Sequence, residues 1–352
     1  MKKVLKVVLG VLLAVVAAAL LFLGFLTVRE YRPKDIESLE ICGEASGKDV
    51  PMDKEITVLS WNAGYCALGK ETDFIMDGGG KAPAADRAQV ERYISGIRDS
   101  AEKLDADIYM FQEIDEDSSR SFHINQRDVF SFGQSAYGIN YKCDFVPFPW
   151  PPFGKILSGV QTTTGFDIET AERYSLPCPF SWPLRTANLK RSMLLTYLPV
   201  EGSEKKLAVI NFHLEAYDSG EGKIAQTKKL LELVENEYSK GNYVIAGGDW
   251  NQTFPETLEK YPNNHEDLWA VGLIDDGAIP DGWTLAFDPS APTCRLLNQP
   301  YDPEDTDNTQ YYVIDGFLCS PNVKVVSVET VDENFENSDH NPVRITVVCS
   351  GD

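Results

Sequence analysis

Six apolar, β-prone runs in the sequence each deliver a polar residue of a catalytic type. "VLSWN" ends at Asn62, and "IYMFQE" ends at Gln112 and Glu113. "LAVINFHLE" delivers His213, "VIAGGDWN" delivers Asp249 and Asn251, and "YYVID" delivers Asp315. "NSDHNPV" sets Asp339 and His340 just ahead of a last apolar run. The chain has only four histidines, and two of them fall in this set; His123 and His265 lie in polar stretches and read as surface residues. Taken singly, each feature is ordinary, since an Asn after a strand is usually a turn residue. Together they matter, because strands laid side by side in a sheet bring their ends to one place.

The residue types decide the chemistry. Glu113 is a hard oxygen ligand suited to Mg²⁺, which keeps several waters and takes one or two carboxylates. Asn62 could supply a neutral amide beside it. No CxxC pair and no multi-histidine spacing is present, which argues against a zinc centre. The histidines and Asp249-x-Asn251 suit hydrolysis of a phosphoester. A metal offsets phosphate charge, an imidazole or carboxylate activates water, and an amide orients an oxygen. Asp249 and Asn251 share a face if the strand stays regular. Gly247 and Gly248 just before them permit a bend or a close backbone approach.

Regular elements must hold these residues. "EITVLSWNAG", "ADIYMFQEID", "RSMLLTYLPV", "KKLAVINFHLEAY", "YYVIDGFLCS", "VKVVSVETV" and "NPVRITVVCS" read as strands. Asp86 reads as the N-cap of a helix over "RAQVERYISGIRDSAEKL". A second helix, "KIAQTKKLLELVENEYSKG", carries the apolar stripe Ile224, Thr227, Leu230, Leu231, Val234 and Tyr238, with Gly241 as its stop. The Pro- and aromatic-rich middle, with "FVPFPWPPFGK" and "LPCPFSWPLR", shows no helical period and reads as strands mixed with long surface loops. Many strands with a few inserted helices fit two sheets packed face to face with helices outside, an α+β sandwich.

At this point the motifs "SWNAG", "FQEID", "NFHLEA", "GGDWNQT", "IDGFLCSPN" and "SDHNPV" resemble the endonuclease/exonuclease/phosphatase superfamily. They run in family order across residues 56 to 348. The resemblance implies a four-layer α/β/β/α sandwich over 55–350 and Mg²⁺-dependent phosphoester hydrolysis, with Mn²⁺ as a substitute. It implies Glu113, Asn62 and Asp339 as metal residues and His213, Asp249, Asn251, Asp315 and His340 as catalytic ones. His213 and Asn251 would also bind the phosphate, with Arg191 nearby. Asp315 would orient His340, and either Asp249 or His340 would be the base. Trp250 departs from the Phe that many members carry there, and reads as an aromatic packed beneath the site.

The chain begins with Lys2, Lys3 and Lys6, followed by an uninterrupted apolar run from Val7 to Val28. As a helix, those 22 residues span about 33 Å, the thickness of a bilayer's hydrocarbon core. Residues 1–30 are therefore expected to be a single-pass anchor and 31–54 a linker, with the catalytic domain outside the cytoplasm. Arg29, Arg32 and Lys34 follow the span, so the charge bias across it is nearly even. Net charge is −22, which repels a nucleic-acid backbone. A lipid or small phosphoester is the favoured substrate, with a nuclease as the alternative and a non-catalytic surface protein behind both. No protein partner is implied. The seven cysteines are equally compatible with buried thiols and with disulfides.

Overall fold

The computed structural model describes residues 1–82, 85–217, 220–265, 268–269, 271–305 and 308–351. In chain order its main-sheet strands are β1 (Ile36–Ser38), β2 (Ile41–Cys42), β3 (Glu55–Asn62), β4 (Ile108–Asp115), β5 (Gln134–Val146), β6 (Gly154–Thr164) and β7 (Thr170–Ser175). They continue as β8 (Ser192–Pro199), β9 (Lys206–His213), β10 (Tyr243–Asp249), β11 (Thr284–Ala286), β12 (Asp315–Cys319), β13 (Val323–Thr330) and β14 (Val343–Cys349). The long helices are α1 (Lys2–Arg29), α2 (Arg87–Leu104) and α3 (Glu221–Ser239).

These strands make two seven-stranded sheets, ordered β13-β14-β3-β4-β6-β5-β2 and β1-β7-β8-β9-β10-β12-β11. Each sheet holds one parallel pair, β3–β4 in the first and β9–β10 in the second; the other neighbours are antiparallel. A parallel pair needs a crossover, and α2 and α3 supply the two. Asp86 caps α2 as its sequence predicts: its carboxylate accepts from the Gln89 amide at 2.9 Å, and the Gln89 side chain accepts from Asp86 N at 2.9 Å.

Alternation along the strands fixes the layers. Ile56 and Val58 of β3, Val209 of β9 and Ile245 of β10 pack in the core between the sheets. Their neighbours Leu59 and Trp61 face α2, whereas Ile210, Phe212 and Val244 face α3. The result is helix, sheet, sheet, helix, the four-layer α+β sandwich expected from the sequence. On α3, Leu230, Leu231 and Val234 are buried as expected. Ile224 is not; it is 69% exposed, and Gln226 and Leu233 are buried in its place. In the first turn of α3 the buried face is carried by Gly222 and Lys223 instead.

Residues 31–54 are not a free linker. β1 pairs with β7 and β2 with β5, so each sheet gains an edge strand from this segment, and Val50 is fully buried. Two-residue and three-residue strands with mixed polarity carry no period long enough to read. α1 is one unbroken helix, long and apolar enough to cross a membrane, with an 18-residue window of mean hydropathy 2.9. The seven cysteines are all free.

Candidate active site

The inward rows of three strands turn from apolar to polar at the same end. Ile56 and Val58 lead to Ser60 and Asn62, Leu207 and Val209 to Asn211 and His213, and Tyr243 and Ile245 to Gly247 and Asp249. Strand register sets Asp249 between His213 on β9 and Asp315 on β12. Asn62 arrives from the other sheet and donates through Nδ2 to Asp249 Oδ2 at 3.0 Å. The two sheets thus meet at a cluster built on the C-terminal ends of both parallel pairs.

Glu113 reaches the cluster by a different route. Regular alternation would send Gln112 inward and Glu113 outward toward α2. Gln112 does point inward, donating to Asn211 Oδ1 at 2.9 Å. The register of β4 against β6 then shifts between Phe111 and Ile114, and Glu113 adopts φ +56°. This bulge swings Glu113 into the cavity, with Oε1 3.8 Å from His213 Nδ1. Asn251 is also held left-handed, at φ +49°. Such backbone conformations cost about 1–3 kcal/mol and cluster at functional sites.

The two glycines of β10 are needed for different reasons. A Cβ on Gly247 would lie 2.4 Å from the Phe317 ring, and one on Gly248, at φ +148°, would lie 1.9 Å from the Phe212 carbonyl oxygen. Gly247 admits core packing, and Gly248 lets β10 run close against β9 just before Asp249. Trp250 then turns outward into the α3 layer, fully buried and edge-to-face with Phe212 at 4.9 Å.

His340 is held on two sides. Its Nδ1 is 2.8 Å from Asp315 Oδ2, its Nε2 is 3.8 Å from Asp249 Oδ2, and its carbonyl accepts from Trp61 Nε1 at 2.9 Å. Ser338 ties this segment to β3 by donating to the Asn62 carbonyl at 2.8 Å. His213 Nε2 approaches Asp249 Oδ2 at 3.3 Å. The Asn251 backbone amide donates to Asp249 Oδ1 at 2.8 Å, while its side chain donates to the Leu214 carbonyl at 2.8 Å. Arg191 lines the cavity, but it is engaged by the His213 carbonyl at 3.2 Å and by Glu215 at 3.5 Å.

The cluster sits at one end of a cavity of about 650 Å³. Burial raises Asp249 to about 7; Asp315 adds to the shift, and His340, Asn251 and Asn62 oppose it. Burial also lifts Asp339 to about 7, opposed by His340 and Arg295 and reinforced by Glu113 and Asp77. Burial lowers His213 well below the usual imidazole range, aided by Arg191 and His340. Burial pulls His340 down too, but Asp315 and Cys294 outweigh it and hold it well above that range.

A divalent cation fits this arrangement beside Glu113 and Asp339. The Glu113 carboxylate makes no hydrogen bond to any described residue, and it and Asp339 repel one another. Gly64, at φ +52°, makes room there, since a Cβ would lie 2.8 Å from Asp339 Oδ1. Hard carboxylate oxygens beside open space are the donor set Mg²⁺ takes. Asn62 Oδ1 accepts from Gly64 N at 3.0 Å and its Nδ2 faces Asp249, so its amide is spent chiefly on orientation. Asp249, Asp315 and His340 form a second tight donor set, with ligand atoms within 4.8 Å of one another. There, however, the Asp315–His340 hydrogen bond already occupies two of the atoms.

Every residue predicted for the site lies on or beside this cluster. Sequence reasoning missed Asp77, buried in the cavity wall and 3.3 Å from the Tyr217 hydroxyl. It also missed Arg120, paired with Asp115 through two hydrogen bonds of 3.1 and 3.0 Å and set 3.7 Å over the Tyr65 ring. A lone Asp before "GGG" and an Arg in a serine-rich turn carry no sequence signal.

The sequence model of the Endonuclease/Exonuclease/phosphatase family matches residues 59–340. Among solved structures, the endonuclease/exonuclease/phosphatase protein from Beutenbergia cavernae DSM 12333 superposes with a TM-score of 0.52 at 17% identity, over 85% of this chain and 72% of that one. The family protein from Leptotrichia buccalis C-1013-b gives a TM-score of 0.50 at 16% identity, over 82% of this chain and 98% of that one. These structures share the fold. No curated protein matches the sequence.

Proposed function

Because the chain belongs to the endonuclease/exonuclease/phosphatase family of phosphoester-cleaving enzymes, we propose that it is a membrane-anchored, Mg²⁺-dependent hydrolase of a phosphodiester or phosphomonoester. The observation that carries this reading is the convergence of Asn62, Glu113, His213, Asp249, Asp315, Asp339 and His340 from both sheets into one cavity.

Glu113 and Asp339 would hold the cation, which would neutralise phosphate charge and polarise the P–O bonds. Asp249 takes the proton from the attacking water. Its carboxylate is steered by Asn62, by the Asn251 amide and by His213, and a base with a pKa near 7 is well matched to neutral conditions. His340, fixed and charged by Asp315, faces the phosphate as a cation. That assignment makes Asp249 rather than His340 the base. His213 and Asn251 contact the phosphate oxygens, and Arg191 braces the His213 end of β9. The anchor is α1, which carries the catalytic domain on the extracytoplasmic side. The −22 charge and the lack of a basic run disfavour a nucleic-acid substrate.

The test is hydrolysis of bis(4-nitrophenyl) phosphate and 4-nitrophenyl phosphate by the full chain, with Mg²⁺, with Mn²⁺ and after chelation. Activity that is lost on chelation and restored by Mg²⁺ is expected. Activity that survives chelation, or that is intact in Asp249→Asn, overturns the assignment.

A further inference from the structure

The active-site cavity has a wall that catalysis does not use. Besides Glu113 and Asp249, the cavity is lined by the apolar groups of Tyr141, Phe153 and Leu189, which pack with Leu26, and by Leu23 and Leu26 of α1. Leu26 is buried among Tyr141, Cys143, Val146 and Ile156. The helix long enough to cross a bilayer thus forms one side of the reaction chamber.

Its last turns are fastened there on two sides. Phe22 meets Phe145 edge-to-face at 5.9 Å, and Thr27 accepts from Trp182 Nε1 at 3.1 Å. Arg29 pairs with Asp144, and Glu30 pairs with Arg185 at 3.2 Å and Lys190 at 3.5 Å. Around this junction lie Phe148, Trp150, Trp182 and Leu184, which are 61, 84, 52 and 68% exposed. Large aromatic side chains at the end of a spanning helix mark the water–membrane interface. The apolar run of α1 ends at Val28, so Leu23 and Leu26 lie where the hydrocarbon meets the headgroups.

From this juxtaposition we propose that the substrate is a phospholipid drawn from the bilayer in which α1 sits. Its acyl end lies along Leu23, Leu26, Phe153 and Leu189, and its phosphate reaches the Glu113–Asp249 end. The inference rests on the phosphoesterase reading above. A lipid already in the leaflet needs no passage through water: its phosphate stands at headgroup depth, level with the chamber. A water-soluble phosphoester would leave the apolar gallery empty, and a polynucleotide would meet Trp and Leu side chains where it needs cations. In the reaction, the oxygen of water bonds to phosphorus and one ester P–O bond breaks. The departing alkoxide takes up a proton, giving a phosphomonoester and an alcohol.

The experiment uses the full chain reconstituted in phosphatidylcholine–phosphatidylethanolamine vesicles with Mg²⁺. Release of phosphomonoester or free headgroup from the vesicles is compared with hydrolysis of bis(4-nitrophenyl) phosphate and of linear DNA. Vesicle lipid is expected to be turned over. Leu26→Trp, which fills the gallery, is expected to lower the ratio of vesicle to soluble-diester turnover by roughly tenfold or more. Leu23→Trp, on the less buried position, gives the same comparison should Leu26→Trp fold poorly. Hydrolysis of the soluble diester without the lipids overturns this inference and leaves the phosphoesterase reading standing. A ratio within twofold of wild type in both variants, or preferred cleavage of DNA, also overturns it. Failure to hydrolyse any substrate with Mg²⁺ or Mn²⁺ removes the reading beneath it.

Discussion

Replacing Gly248 by alanine tests whether close contact between β9 and β10 aims the catalytic carboxylate. The added Cβ would sit 1.9 Å from the Phe212 carbonyl oxygen, at a φ of +148°. An ordinary contact needs about 1.5 Å more, and both strands are buried with helix on one side and sheet on the other. The backbone conformation costs an L-residue about 1–3 kcal/mol, and overpacking a rigid core adds about 1–3 kcal/mol. A loss of about 3–5 kcal/mol follows, or a Tm lower by roughly 10 °C for a domain this size. Activity falls further than stability, because Asp249 is opposite His213 in the register that the alanine would disturb. A shift of about 1 Å in a catalytic group can cost a hundredfold. Gly165→Ala is the control: nothing lies within 4 Å of its Cβ, and a change within about 0.5 kcal/mol is expected. Thermal melts and diester hydrolysis with Mg²⁺ read both effects. A Gly248→Ala protein that melts and turns over like Gly165→Ala would refute the argument.

Glu113→Gln keeps the bulge but removes a ligand charge, so kcat/KM should fall by at least about a hundredfold and half-saturation should move to higher Mg²⁺. A titration of rate against Mg²⁺ checks both. Asp315→Asn should lower kcat by roughly 10³–10⁴, because His340 loses the charge that holds it cationic and oriented; an unchanged melting curve separates this from unfolding. Asp77 is raised to about 6, first by burial, with Glu113 adding to it and Tyr217 and Arg295 opposing it. Its folded pKa lies above the unfolded value, so its charge destabilises the fold above pH 6 and has no such effect below the unfolded pKa. Asp77→Asn should therefore stabilise the fold at pH 8 and not at pH 4, by an amount on the order of 3 kcal/mol that thermal melts read as a higher Tm. Equal shifts at both pH values would contradict that placement.

Much of this was legible in the sequence, for a physical reason. Apolar, β-prone runs report buried strands, and Asn62, His213 and Asp249 stood out as the polar residues that such runs deliver at their ends. Asp86 likewise marked the start of α2 as its N-cap. What alternation cannot report is a break in itself. Glu113 sits one residue out of phase, and only the bulge with its left-handed backbone turns it inward. The edge strands in 31–54 were hidden for a related reason: they are too short to show a period, and their order comes from the sheets they join. Ile224 shows the opposite failure, an apolar residue on the predicted stripe that faces solvent while its neighbours Gly222 and Lys223 are buried.

The charges explain why an acidic protein can still bind a phosphate. Asp77, Glu113, Glu215, Asp249 and Asp339 all face the cavity, and the arginines beside them are already engaged. Arg120 is bound to Asp115 and Arg191 to Glu215, and Arg295 donates to the Gly69 carbonyl at 2.9 Å. The Nε atoms of Arg191 and Arg295 have no hydrogen-bond partner among the described residues, but both side chains are buried and each guanidinium is otherwise held. Under the proposed function, the main positive charge for the phosphate would come from His340 and from a cation held by Glu113 and Asp339. Binding of substrate would then be tied to binding of metal, and the carboxylates that would repel a lone phosphate would be what recruits the ion. The same surface charge works against capture of a soluble polyanion from bulk water. With α1 as the proposed anchor, a tethered site would meet lipid at high effective concentration, which would offset that repulsion. Acidic surface, unfilled carboxylates and apolar wall are then consistent with one proposal: the surface would turn away polyanions, the carboxylates would hold the cation, and the helix would bring the substrate.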